Sequence, residues 1–172
     1  MRKGYIQVYT GDGKGKTTAA LGLALRAAGA GLKVFIAQFV KDKRYSEHRA
    51  LDKLSDFITV KQYGTGYLFG KKPGKSDIDS AKKGLEEVKE LIASGIFDLV
   101  ILDEINIATH YSILDVRELI EILDSKPIKV EIILTGRYAD ERIIERADIV
   151  TEMKEVKHYL QSGVKARIGI EF

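Results

Sequence analysis

The sequence predicts a three-layer α/β/α protein built on a mostly parallel sheet. Three observations point there. Short apolar segments rich in strand formers alternate with longer helical patterns along the chain. The segments Val34-Phe35-Ile36-Ala37-Gln38-Phe39-Val40 and Leu99-Val100-Ile101-Leu102 are nearly continuous apolar runs, the pattern of strands covered on both faces. A glycine cluster (Gly11, Gly13, Gly15) stands between the first strand pattern and the first helix pattern.

Taken in order, Tyr5-Ile6-Gln7-Val8-Tyr9 alternates as a strand before the glycines interrupt it. Residues 17–30 are Ala/Leu-rich with few β-branched side chains, a helix stopped near Gly29 and Gly31. A strand over 34–40, a short helix over 47–54 and a strand over 57–61 follow. Residues 62–76, rich in glycine and holding Pro73, form the one long irregular stretch. Ser76 or Asp77 then caps a helix that runs to Ser94 and ends at Gly95. The strand over 99–102 runs into Asp103-Glu104. A helix over 114–123, a strand over 130–134, a short helix over 140–146 and a strand from Ile149 complete the alternation. The polar tail, 157–172, is expected as a hairpin or an ordered arm. Residues 1–172 read as one domain, with no repeat or linker.

Composition narrows the function. With no cysteine, disulfides, thiolate metal sites and cysteine nucleophiles are excluded. Lys+Arg 28 against Asp+Glu 25 gives a net +3, too little by itself to argue for nucleic acid. No segment approaches the roughly 18 apolar residues that span a bilayer, and no signal peptide is evident, so a cytoplasmic protein is expected.

The strongest signal is Thr10-Gly11-Asp12-Gly13-Lys14-Gly15-Lys16-Thr17-Thr18 between a strand and a helix. Glycines let successive backbone N–H groups turn inward, and the helix N-terminus adds positive charge, so the segment suits a phosphate chain. Lys16 would reach phosphate oxygens and the Thr17 hydroxyl would hold Mg²⁺. The usual pattern has glycine where this chain has Thr10. Asp103 and Glu104, at the carboxyl end of an apolar strand, are the acids expected to hold Mg²⁺ directly or through water. In a hydrolase Glu104 would orient a water, a role the pair alone leaves open. His48, His110 and His158 are scattered without metal-ligand spacing, and structural or surface roles are expected for them.

The phosphate loop, Asp103-Glu104, Gly64-Thr65-Gly66-Tyr67, Leu134-Thr135-Gly136-Arg137 and the tail Val156-Lys157-His158…Gly163-Val164-Lys165-Ala166…Gly169-Ile170-Glu171-Phe172 occur in one order. Together they resemble the ATP:corrinoid adenosyltransferase family over nearly the whole chain. The resemblance implies a RecA-like P-loop fold. It also implies transfer of the 5′-deoxyadenosyl group of ATP to a Co(I) corrin, with release of tripolyphosphate. Gly11, Asp12, Gly13, Lys14, Gly15, Lys16, Thr17 and Thr18 would cradle the triphosphate, reversed relative to ordinary P-loop proteins. Arg26 and Arg137 would contact phosphate or nucleoside. Thr17, Glu104 and Asp103 would hold Mg²⁺ or Mn²⁺. Lys16, Thr17, Glu104 and Arg137 would carry catalysis. Tyr67 and Phe69 would crowd the corrin, Phe69 standing where relatives often have Trp. A homodimer and a flavodoxin-like electron donor are implied, with no nucleic acid or membrane partner.

The basic groups Lys41, Lys43, Arg44 and Lys71, Lys72, Lys75, beside Tyr63, Tyr67 and Phe69, keep other readings open. They fit solvated loop charge, a corrin's polar rim, or stacking on single-stranded nucleic acid by a RecA-like ATPase. A small kinase and a non-catalytic ATP-binding module are further alternatives.

Overall fold

The structure, a computed structural model, describes residues 3–66 and 72–172. Six strands form one wholly parallel sheet among these residues: β1 (Ile6–Thr10), β2 (Val34–Gln38), β3 (Ile58–Gln62), β4 (Leu99–Asp103), β5 (Glu131–Thr135) and β6 (Ile149–Glu152). Their lateral order is β3-β2-β4-β5-β1-β6. The expected three-layer α/β/α class is therefore found, with every described strand pairing parallel.

Alternation along each strand divides the core in two. Phe35, Ala37, Val100, Leu102, Ile132 and Leu134 point to one face, where α3 (Lys75–Ser94), α4 (Ile105–His110), α5 (Val116–Asp124) and α6 (Glu141–Ile144) pack. Val34, Ile36, Leu99, Ile101 and Ile133 point to the other, covered by α1 (Lys16–Gly29) and α2 (Ser46–Leu51). On α1 the buried residues are Ala20, Ala24, Ala27 and Ala28, small side chains at helical spacing that let the backbone lie close to the sheet.

Several boundaries differ from the sequence-based expectation, each for a local reason. The second strand stops at Gln38, since Val40 turns into the left-handed region at φ 39°. The long helix starts at Lys75 with Gly74 as its cap residue, and the Asp77 carboxylate accepts the Gly74 N–H at 2.7 Å. Asp115 and Asp140, expected within or beside their helices, are side-chain caps accepting from Arg117 N and Arg142 N. Helix α4 was not expected. Its six residues are almost entirely buried, so the amphipathic spacing that marks a surface helix is missing. The tail is an arm with a 3₁₀ turn at Tyr159–Ser162, and no hairpin pairs within it.

Register places a polar row along the carboxyl edge of the sheet. Gln62 lies beside Gln38, Gln38 beside Asp103, and Thr135 beside Tyr9. Strand β5 lies between β1 and β4, so Gly136 and Arg137 emerge between the glycine loop and the acid pair. Edge strand β6 is exposed along its length.

Leu102 is fully buried on a central strand, whereas Ile168 on the arm is 81% exposed. Leu102→Ala is expected to cost about 2–5 kcal/mol, and Ile168→Ala less than about 0.5 kcal/mol. Urea denaturation of the two variants beside the parent checks the contrast.

Candidate active site at the carboxyl edge of the sheet

Between β1 and α1 the chain turns through Gly15 at φ 116°, a conformation that a side chain would strain. The loop is held from behind by the segment after β6: Gly13 N donates to Met153 O at 2.6 Å, and Met153 N to Thr10 O at 2.9 Å. Lys16 Nζ curls back to donate to Gly11 O at 2.6 Å and Gly13 O at 2.7 Å. Burial lowers the Lys16 pKa, and the Glu104 and Asp12 carboxylates offset this only in part. The loop N–H groups, the α1 N-terminus and this ammonium gather positive potential at one point.

Asp103 is 1% exposed and accepts four hydrogen bonds. Oδ1 receives the hydroxyls of Thr17 at 2.7 Å and Thr135 at 2.8 Å. Oδ2 receives Gln38 Nε2 at 3.1 Å and Lys41 Nζ at 2.9 Å. Burial works against the Lys41 charge, yet Asp103, helped by Glu104 and Glu47, holds the Lys41 pKa above the usual lysine value. The basic residue at position 41 is thus a partner of the buried acid, while Arg44 is an exposed ion-pair partner of Asp52.

Glu104 takes the left-handed conformation, φ 60°, and its carboxylate lines the open cavity. Burial raises its pKa above the ordinary glutamate range, and Asp103 raises it further. Lys41, Lys16 and Arg137 pull it back only partly. Gly136, at φ 126°, leaves room beside it: a Cβ there would lie 3.2 Å from Glu104 Oε2 and 3.1 Å from Asn106 Cβ. One residue on, Arg137 reaches across to the loop, with Nη2 donating to Asp12 O at 3.0 Å and Nε 3.8 Å from Asp12 Oδ1.

These groups face a cavity of about 990 Å³. Asp12, Gly13, Lys14, Gly15, Lys16, Thr17 and Thr18 line it together with Glu104 and Arg137. Ile107, Tyr111 and Tyr138 add an apolar and aromatic wall, with Tyr138 stacked on His110 at 4.3 Å. Sequence reasoning did not single out Tyr45, Glu47, Tyr111 or Tyr138, and it read Lys41 only as part of a basic cluster. Glu47 comes from α2 and the others from loops or element ends, where no local pattern marks them.

The arm closes another side. Lys14 Nζ donates to Ile170 O at 3.0 Å and lies 3.7 Å from Glu171, and Ser46 Oγ donates to Phe172 O at 3.0 Å. His158 also lines the cavity. Arg26 does not: it is exposed on α1, ten residues beyond Lys16, and at 1.5 Å per residue the helix carries it about 15 Å away. Tyr67 and Phe69 lie outside the described residues.

For a divalent cation, the donors at hand are the Thr17 hydroxyl and the two carboxylates, oxygen groups that suit a hard ion. Among the described residues no group of three or more His, Cys, Asp or Glu clusters. Such sparse protein ligation fits Mg²⁺, which takes much of its shell from phosphate and water.

A glycine loop ahead of a helix, an acid pair on a neighbouring parallel strand and a cavity at their carboxyl ends define a P-loop nucleotide-binding protein. The chain belongs to the ATP:corrinoid adenosyltransferase family (BtuR/CobO/CobP), whose profile matches residues 2–172, and is an adenosyltransferase. It is 40% identical over 173 residues to a corrinoid adenosyltransferase of Sinorhizobium sp, covering 99% of this chain and 81% of the relative. It is 36% identical over 170 residues to the corrinoid adenosyltransferase of Escherichia coli K12, covering 99% and 86%. Among the described residues no helix is long and apolar enough to cross a membrane.

The raised Glu104 pKa has a sign that can be measured. Folding favours its protonated form, so ionised Glu104 destabilises the protein above the raised pKa. That penalty shrinks as pH falls from the raised value toward the ordinary one, and is gone below both. Glu104→Gln is therefore expected to raise the melting temperature of the nucleotide-free protein at about pH 8 and to lose the advantage in acid. Calorimetric scans of both proteins across pH check it.

Proposed function

We propose that this chain transfers the 5′-deoxyadenosyl group of ATP to the cobalt of a reduced corrinoid and releases tripolyphosphate, in the making or salvage of adenosylcobalamin. The observation that carries the reading is the cavity of about 990 Å³, which joins the phosphate loop to an aromatic wall. That is at the upper end of the roughly 300–1,000 Å³ of ordinary ligand pockets, and suits a nucleotide with a second substrate's edge beside it.

The Co(I) electron pair attacks C5′, the C5′–O bond breaks, and the triphosphate leaves with that bond's electrons. Cobalt is oxidised to an alkyl-Co(III), and no proton needs to move. Catalysis then consists of stabilising charge on the departing chain. Gly11, Asp12, Lys14, Gly15 and Thr18 offer backbone N–H groups, Gly13 being tied to Met153 behind the loop, while Lys16 leaves its loop carbonyls for phosphate oxygens. Arg137 adds a second cation from β5. Thr17 and Glu104 would hold Mg²⁺ or Mn²⁺, with Asp103 supporting Thr17. The bound ion would supply further neutralisation of phosphate charge.

Reduction of Co(II) to Co(I) requires an outside electron, which supports a flavodoxin-like protein donor. Exposed Ile149 and Val150 on the edge strand β6 support a homodimer. Tyr67 and Phe69 are proposed to crowd the corrin and keep an axial donor from cobalt, easing its reduction.

Anaerobic incubation with ATP, Mg²⁺ and chemically reduced cobalamin is expected to give the Co–C absorption spectrum and tripolyphosphate. ADP and phosphate without a Co–C product would overturn the reading in favour of an ATPase. Lys16→Ala is expected to slow transfer by about a hundredfold or more, the scale of losing one preorganised donor to developing negative charge.

Tyr67→Ala and Phe69→Ala should separate two assays. Activity from Co(II) with a protein reductant is expected to fall steeply, and activity from pre-reduced Co(I) much less. Equal losses in both, together with lower thermal stability, would remove the proposed corrin role.

A further inference from the structure

The polar row at the carboxyl edge of the sheet continues past Asp103 into a buried chain that ends on α2. His48 is 3% exposed and Gln38 is 1% exposed. Tyr45 N–H donates to His48 Nδ1 at 2.9 Å, which leaves Nδ1 bare and puts the ring proton on Nε2. His48 Nε2–H then donates to Gln38 Oε1 at 2.8 Å. Gln38 Nε2 donates to Asp103 Oδ2 at 3.1 Å, and Gln62 Nε2 gives a second bond to Gln38 Oε1 at 3.1 Å. This orientation of the Gln38 amide turns its nitrogen to the Asp103 carboxylate and its oxygen to two donors. Every link runs toward Asp103, which receives the Thr17 hydroxyl on its other oxygen at 2.7 Å.

An alcohol that gives its only proton to a carboxylate presents only lone pairs elsewhere. The orientation of Asp103 therefore decides whether Thr17 faces the phosphate loop as a ligand or as a donor. We propose that His48 is a positioning residue for the cation site. Through Gln38 it holds the Asp103 carboxylate in the rotation that captures the Thr17 proton. Through Nδ1 it pins the Tyr45 backbone beside the cavity. This inference rests on the reading that Thr17 takes part in holding the cation of bound ATP.

The two ring nitrogens can be tested apart. His48→Gln places an amide donor near the position of Nε2 and keeps the link to Gln38. His48→Asn places an acceptor near Nδ1 and keeps only the Tyr45 bond, and His48→Leu keeps neither. Mn²⁺ is titrated into each protein with saturating ATP, following free Mn²⁺ by electron paramagnetic resonance. Nucleotide binding in EDTA and melting temperature are measured alongside.

His48→Asn and His48→Leu are expected to weaken Mn²⁺ binding by about fivefold. That is below the roughly tenfold to hundredfold loss typical of a direct outer-shell partner, because Gln62 and Lys41 remain. His48→Gln is expected to stay within about twofold of the parent, with metal-free nucleotide binding unchanged in all three. Mn²⁺ affinity that is unmoved in every variant, or that tracks melting temperature whichever bond is kept, would overturn the positioning role. So would a parent protein that binds ATP but takes no Mn²⁺. The expected pattern in a protein that alkylates no corrin would support the positioning role and overturn the adenosyl-transfer reading alone.

Discussion

A carboxylate with almost no access to water is the constraint around which this protein is arranged. Asp103 is tolerable only because four donors meet its two oxygens, since an unpaired buried charge costs several kcal/mol. Those donors come from α1, β2, the loop after β2, and β5. One residue on the central strand thus fixes the depth of the helix that starts at the phosphate loop. It also requires a polar Gln38 within an apolar strand and keeps Lys41 charged beneath the surface.

Backbone conformation follows the same geography. Val40, Glu104 and Tyr138 adopt positive φ without being glycine, and each comes soon after the carboxyl end of β2, β4 or β5. Left-handed residues of this kind cost roughly 1–3 kcal/mol and collect where surrounding structure dictates a particular turn. Here the turns lift Lys41, Glu104 and the Arg137–Tyr138 pair onto one cavity. Rigid strands supply the positions, and strained corners supply the directions.

The sequence was most informative where a function depends on neighbours in the chain. The glycine loop, Lys16 and Thr17 form one local unit, and Asp103-Glu104 announces itself by following four apolar residues. Helix α4 escaped notice because both of its sides are buried, leaving no polar face to set a period. Gln38 passed unremarked within an apolar run; its reason is Asp103, 65 residues away. His48 had no ligand spacing to give it away, and its partners come together only through the strand register. The tail was legible as an ordered arm but not as a cavity wall, since Lys14 and Ile170 are 156 residues apart. Arg26, expected at phosphate or nucleoside from the resemblance alone, sits exposed on α1 ten residues beyond Lys16.

Strand order also dictates when the site can exist during synthesis. Strand β1 is made well before both of its sheet neighbours, β5 and β6. Ile6 N bonds the Asp148 carboxylate across 142 residues, and the glycine loop is braced by Met153. Such distant pairing makes folding slow, because the loop-closure entropy comes before the contacts that repay it. The nucleotide cradle is encoded about 140 residues before the segment that braces it. A nascent chain therefore holds the motif long before it can hold a phosphate.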